Sequence, residues 1–112
     1  MTVNIIPIKS AKGKEAGWIN PITKTYFSER RPEHYMRMYQ GFGISEDILD
    51  QLIKLGAESV CLIYIGKKHR YHYTCELSQF LKSEKTYMNT EGGVKDPQKF
   101  VSTRDMKEEV VT

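Results

Sequence analysis

Cys61, His69, His72 and Cys75 fall within fifteen residues of one another, and thiols and imidazoles at that density raise the question of a zinc ion. Structural zinc takes its ligands in close pairs on turns, whereas these four are strung along two extended segments. If 60–65 pairs with 70–75 about a turn at Lys67-Lys68, Cys61 and Cys75 project to opposite faces, and His72 differs from Cys75 in strand parity. The expectation is two small buried thiols, two polar histidines and no metal. Neither thiol suits nucleophilic catalysis, because Cys61 lies inside the most apolar run of the chain, where desolvation favours the inert thiol. Cys75 stands between Thr74 and Glu76, with no glycine-rich loop to supply an oxyanion hole.

Metal-dependent nucleases place an acid-x-Lys triplet near a further carboxylate. Asp105-Met106-Lys107 is the one such triplet, and it sits in a stretch that reads as helix or tail. Glu46, Asp47 and Asp50 cluster in sequence, but acids at a helix start are explained by the helix dipole. Gly41-Phe42-Gly43 precedes a helix without a leading strand or a third glycine, so no dinucleotide fingerprint is present. No catalytic residue and no cofactor is expected.

One set of side chains remains that can do binding chemistry. Arg30, Arg31, His34 and Arg37 bunch near the start of a helix-like segment, and Lys67, Lys68 and Arg70 bunch at the turn of the 60–75 hairpin. Guanidinium groups clamp phosphate, and aromatic rings stack on exposed bases. At helical spacing Tyr35 and Tyr39 join Met36 and Met38 on an inward arc, leaving the arginines outward. These seven residues form the expected nucleic-acid contact.

The elements that would position them follow from local pattern. Val3–Ile8 reads as a short edge strand because of Pro7, 11–17 as loop, and 18–19 with 22–27 as strands about the Asn20-Pro21 turn. Pro32 opens a helix near 32–40, which Gly41-Phe42-Gly43 ends. Ser45 caps a second helix over 45–55, with Glu46 and Asp47 in its first turn, Ile44 and Leu49 at staple positions, Ile48, Leu49, Leu52, Ile53 and Leu55 as its apolar stripe, and Gly56 after its end. Val60–Ile65 is apolar on both faces, as an interior strand should be, and Arg70–Cys75 alternates as a half-buried partner. In that register Val60, Leu62 and Tyr64 share a face with Tyr71, Tyr73 and Cys75. A short helix follows with Leu77, Phe80 and Leu81 on one side, then a hairpin of 86–89 with 99–101 about Glu91-Gly92-Gly93, then a frayed turn over 104–109 capped by Thr103.

The predicted fold class is α+β: a small antiparallel sheet with central strand 60–65 and hairpin partner 70–75, packed by helices near 32–40 and 45–55. The 112 residues suit one domain, 1–112, with a mobile tail from about 104. The apolar share, 39 %, excludes wholesale disorder, and no apolar run approaches the ~20 residues a bilayer requires. Without an export signal the two cysteines are expected reduced and the location cytoplasmic. Charge is uneven: residues 1–43 carry seven basic and three acidic groups, 44–66 one and four, and 67–112 nine and seven, for a total of +3. That is short of the basicity of dedicated DNA-binding domains.

The functional expectation is a non-enzymatic binding module that contacts nucleic-acid phosphate through the arginine-rich face. The alternative is a protein-interaction or inhibitor domain of the kind mobile elements encode, using an exposed aromatic patch or a free sheet edge. A metal-dependent nuclease stands behind both. The partner is nucleic acid or protein and not a membrane, and the oligomeric state is open.

Overall fold

The computed structural model describes residues 4–89 and 96–111. Eleven elements run in the order β1 (Ile6–Lys9), β2 (Glu15–Asn20), β3 (Thr25–Arg30), β4 (Gly41–Ser45), α1 (Glu46–Lys54), β5 (Ser59–Ile65), β6 (Arg70–Glu76), α2 (Leu77–Lys82), β7 (Thr86–Asn89), β8 (Asp96–Ser102) and β9 (Lys107–Val110). The strands form a six-stranded sheet, β1-β2-β3-β5-β6-β9, and a three-stranded sheet, β4-β8-β7. The fold is thus mixed α/β, with two helices and mostly strands.

The 60–65 run is the heart of β5, flanked by β3 and β6. Its pairing with β6 has the expected register: Val60 faces Cys75, Leu62 faces Tyr73 and Tyr64 faces Tyr71, while Cys61 faces Thr74 from the other side. The sheet is not purely antiparallel, because β3 and β5 run parallel. A parallel pair demands a long crossover. Residues 31–58 supply it, and they carry β4 and α1.

The second helix forms over Glu46–Lys54, and its first turns are as expected. Ser45 Oγ accepts from the Ile48 N–H at 3.3 Å, Glu46 and Asp47 occupy the first turn, and Ile48, Leu49 and Leu52 are buried. Ile53 and Leu55, expected in the buried stripe, are instead exposed. Beneath α1 lies one apolar cluster joining both sheets, with Ile8, Ile19, Tyr26, Phe42, Val60, Leu62, Phe80 and Val101 among its members.

The helix expected near 32–40 is a correction. Only Pro32–His34 coils, as a single 3-10 turn. Tyr35 is extended, Met36 makes a bridge to Gly41, and Gln40 turns the chain at φ 52°. The arc of Tyr35, Met36, Met38 and Tyr39 has no common surface to bury, and Met38 stays 80 % exposed. Tertiary pairing won over periodicity: Gly41-Phe42-Gly43-Ile44-Ser45 forms a fully buried strand on β8 rather than a helix stop. Its glycines serve close approach. A Cβ on Gly41 would meet the Val101 carbonyl oxygen at 2.0 Å, and one on Gly43 would meet the Phe100 ring at 2.6 Å.

The 86–89 segment does pair with β8, from Thr86 opposite Lys99 to Asn89 opposite Asp96. The Glu91-Gly92-Gly93 turn expected between them lies outside the described residues. Where a frayed turn and mobile tail were expected, Ser102 caps a 3-10 turn, Thr103–Asp105, and Lys107–Val110 pairs with β6 as an outer strand. Lys107-Glu108-Glu109-Val110 is too polar to read as a core strand, but an edge strand exposed on both faces tolerates that composition.

Candidate nucleic-acid interface

The seven residues expected to bind phosphate come from two segments, and strand geometry brings the segments to one end of the large sheet. Because β3 and β5 are parallel, Arg30 at the end of β3 stands opposite Tyr64, and Tyr64 stands opposite Tyr71 beside the hairpin tip. Tyr71 in turn faces Val110 of β9. The row Arg30, Tyr64, Tyr71, Val110 crosses the inner face, with the Arg31–His34 turn leaving one side and Lys67, Lys68 and Arg70 rising at the middle.

Within this set Arg30 differs from the rest. It was expected outward on a helix, yet it ends a strand whose alternation turns it inward with Tyr26 and Ser28. Its Nε–H donates to Ser28 Oγ at 3.1 Å and its Nη1 to the Gly43 carbonyl at 2.7 Å, tying the large sheet to the outer edge of β4. Burial lowers the pKa of its guanidinium, and the adjacent Tyr26 hydroxyl only partly opposes this. Tyr26 is itself fixed, donating its hydroxyl proton to the Ala16 carbonyl.

Arg31, Arg37, Lys67, Lys68 and Arg70 are exposed. His34 lies on the 3-10 turn, where its Nδ1 accepts from the Arg31 N–H at 2.9 Å. Its pKa is lowered by partial burial first and then by the Arg30 charge, with Glu33 pulling the other way and Arg31 adding to the fall.

The larger feature at this end is aromatic. Tyr64, Tyr71 and Tyr73 lie on adjacent strands with ring centroids 6.1 to 6.4 Å apart, and Tyr71 and Tyr73 are stacked at an interplanar angle of 21°. Phe42 forms their base, 5.6 Å from Tyr64 and 6.1 Å from Tyr73, and Tyr35 meets Phe42 edge-on at 5.5 Å. His69 of the hairpin tip approaches Tyr71 edge-on at 6.4 Å. Phe42 is buried, whereas the four tyrosines are half-buried and make no hydrogen bond through their hydroxyls to any described residue. Burial pushes the Tyr73 hydroxyl pKa up, as do Glu108 and the neighbouring Tyr71, Tyr64 and Tyr35, so Tyr73 remains a protonated donor.

Sequence reasoning located Tyr64, Tyr71 and Tyr73 on one face but did not see them as a site. The hairpin register was the signal that could have found it, since it already put three phenols together beside a basic turn. Tyr35 was hidden by the helical reading of its segment.

The remaining chemistry stays apart. Cys61 and Cys75 are free, buried and on opposite faces of the large sheet. Burial raises both thiols, Cys75 to about 12 with help from Glu76, while Thr74 partly offsets the rise at Cys61. Asp105 lies on a 3-10 turn and Lys107 on β9, with Met106 buried between them. Among the described residues no three His, Cys, Asp or Glu side chains come together as a metal site, and no helix is long and apolar enough to cross a membrane. No family model, curated protein or solved structure matches this chain.

Proposed function

We propose that this protein is a non-enzymatic binding module for single-stranded nucleic acid. Bases stack on the Tyr64–Tyr71–Tyr73 surface while Lys67, Lys68 and Arg70, joined by Arg31 and Arg37, neutralise the phosphates that run past it. The observation that carries this reading is the tyrosine cluster itself: half-buried phenol rings with unspent hydroxyls, beside an exposed basic turn. Stacking on aromatic side chains is tolerant of sequence and contributes about 1–3 kcal/mol per base. Arg30 is left out of the phosphate contact, because its donors are directed into the protein.

The test is fluorescence anisotropy of labelled oligo-dT and oligo-U across a salt series. Binding should weaken steeply with salt, and Lys67→Ala/Lys68→Ala should flatten the slope. Affinity that is absent, or that ignores both salt and the double substitution, would defeat the proposal.

A second reading is supported at the other sheet. β7 is an outer strand without a charged residue, and its Tyr87 and Met88 are 45 % and 48 % exposed. An uncharged outer strand with exposed apolar side chains invites strand addition by a protein partner. That interface would bind with little salt dependence and would be unaffected by changes at Tyr71.

A further inference from the structure

The outer strand β9 brings a carboxylate to the tyrosine surface. Lys107–Val110 runs antiparallel to β6, which sets Glu108 opposite Tyr73 and Val110 opposite Tyr71. Residues opposite one another in such a pair share a face, with Cβ atoms about 4.5–5.5 Å apart, and diagonal neighbours lie only a little farther off. Glu108 therefore borders Tyr73 directly and Tyr71 on the diagonal, the two rings stacked at 21°. Burial first, and then the Glu108 charge, raises the Tyr73 hydroxyl pKa, as expected of a carboxylate close to that ring. Glu109 alternates to the opposite face, across from His72.

Glu108 is exposed, and no hydrogen bond or ion pair ties its carboxylate to another described residue. Val110, 54 % exposed, gives the same edge an apolar shoulder. A negative charge here works against a polyanion, whose binding draws on neutralisation by lysine and arginine. It contributes to such a surface only where it meets hydrogen-bond donors, and an unstacked base carries them on its edge. Neighbouring strands are about 4.8 Å apart, less than the width of a nucleobase, so a base lying on Tyr71 or Tyr73 extends over β9.

We propose that Glu108 makes this surface prefer guanine, an inference that rests on the tyrosine cluster being a single-strand binding site. An ionised carboxylate is acceptor-only, with two oxygens side by side. Guanine alone among the bases presents two adjacent donors on its Watson–Crick edge, the N1–H and the N2 amine. The two Glu108 oxygens take one each, in the paired geometry that carboxylates also use with arginine. Adenine and cytosine set a single amine beside an unprotonated ring nitrogen, which meets the second oxygen lone pair to lone pair. Thymine and uracil flank their one N–H with two carbonyls. Each of these four leaves the carboxylate partly unsatisfied.

The test is an anisotropy titration of the full chain with short labelled oligothymidines in which a few isolated positions carry guanine, inosine, adenine or cytosine. Inosine keeps the N1–H and lacks the N2 amine, and isolated guanines do not form quadruplexes. Guanine should tighten binding about tenfold over thymine, with inosine, adenine and cytosine each falling short of it. Glu108→Gln should remove the guanine advantage and bind the all-thymine strand at least as tightly as wild type, which also shows that the variant is folded. Glu109→Gln, on the other face, should keep the advantage. Equal affinity for guanine and thymine strands, or an inosine strand that matches guanine, would overturn the proposal. So would a guanine advantage that survives Glu108→Gln, or one lost equally in Glu109→Gln. In each of those cases salt-dependent binding of the all-thymine strand leaves the single-strand reading standing. If no strand binds at all, both fall together.

Discussion

The inner face of the large sheet has two ends, made by the same strands and finished differently. At one end the row Tyr26, Val60, Cys75 is sealed under α1 and the small sheet, with Tyr26 and Val60 at 0 % exposure. At the other, the row Arg30, Tyr64, Tyr71, Val110 passes from a tied-down guanidinium through half-buried phenols to an exposed aliphatic side chain. The sealed end is where the apolar layer closes. The open end uses tyrosine, whose ring can complete a core while its hydroxyl stays wet. One sheet can thereby divide its labour, with cohesion at one end and an adaptable surface at the other.

The division should appear first in stability. Leu52→Ala empties a fully buried site over the sealed end and should cost about 2–5 kcal/mol in urea unfolding. Tyr71→Ala at the open end should cost clearly less, and equal losses would break the comparison. The sealed end should also show in alkali. Cys75 has its pKa raised from 9.0 to about 12 in the fold, so its contribution is complete below pH 9 and is lost as pH rises from there towards 12. Against wild type, Cys75→Ala should flatten the fall in stability over that window. Identical slopes would mean that the thiol is not held in an apolar setting.

Arg30 is the hinge of the comparison, since it sits at the open end yet is bonded like a core residue. Arg30→Ala removes donors to Ser28 and Gly43 that link the two sheets, and should lower stability by about 1–3 kcal/mol. A loss near zero would return Arg30 to the exposed set.

How much of this could be read from sequence depended on whether local and long-range signals agreed. They agreed from Ser45 to Leu52 and again from Val60 to Cys75: a cap, first-turn acids, the buried Ile48, Leu49 and Leu52, and two strands of clear parity gave α1, the centrality of β5 and the face of every residue in the β5–β6 hairpin. They disagreed between Arg31 and Gly43. There Pro32 and a loose helical arc suggested a helix, and nothing local could reveal that Gly41 and Gly43 are notches for Val101 and Phe100, nearly sixty residues away. The direction of Arg30 was lost for the same reason, because a residue assigned to the start of a helix has no strand parity. The parallel pairing of β3 with β5 was equally hidden, as it depends on a crossover that holds a buried strand where local pattern suggests only the end of a helix. The interface was half legible: its basic residues by type, its tyrosines only by register.

The smallest stability effect is also the sharpest separation of the two ends. Arg31 and Arg37 are exposed and flank a turn held by backbone hydrogen bonds, including Gln40 N–H to the Arg37 carbonyl at 3.3 Å. Replacing both side chains with alanine leaves those bonds in place. Arg31→Ala/Arg37→Ala should therefore change unfolding free energy by no more than about 0.5 kcal/mol, the ordinary range for surface positions. Their loss should nevertheless weaken oligo-dT binding and reduce its salt slope, by about one unit for each phosphate contact removed. Measured beside Arg30→Ala, the pair forms a crossed design. The inward arginine should move stability, and the outward two should move salt-dependent affinity. If the outward pair moves stability instead, or leaves oligonucleotide binding unchanged while Lys67→Ala/Lys68→Ala abolishes it, the phosphate path is confined to the hairpin tip and the turn at 31–37 serves the fold alone.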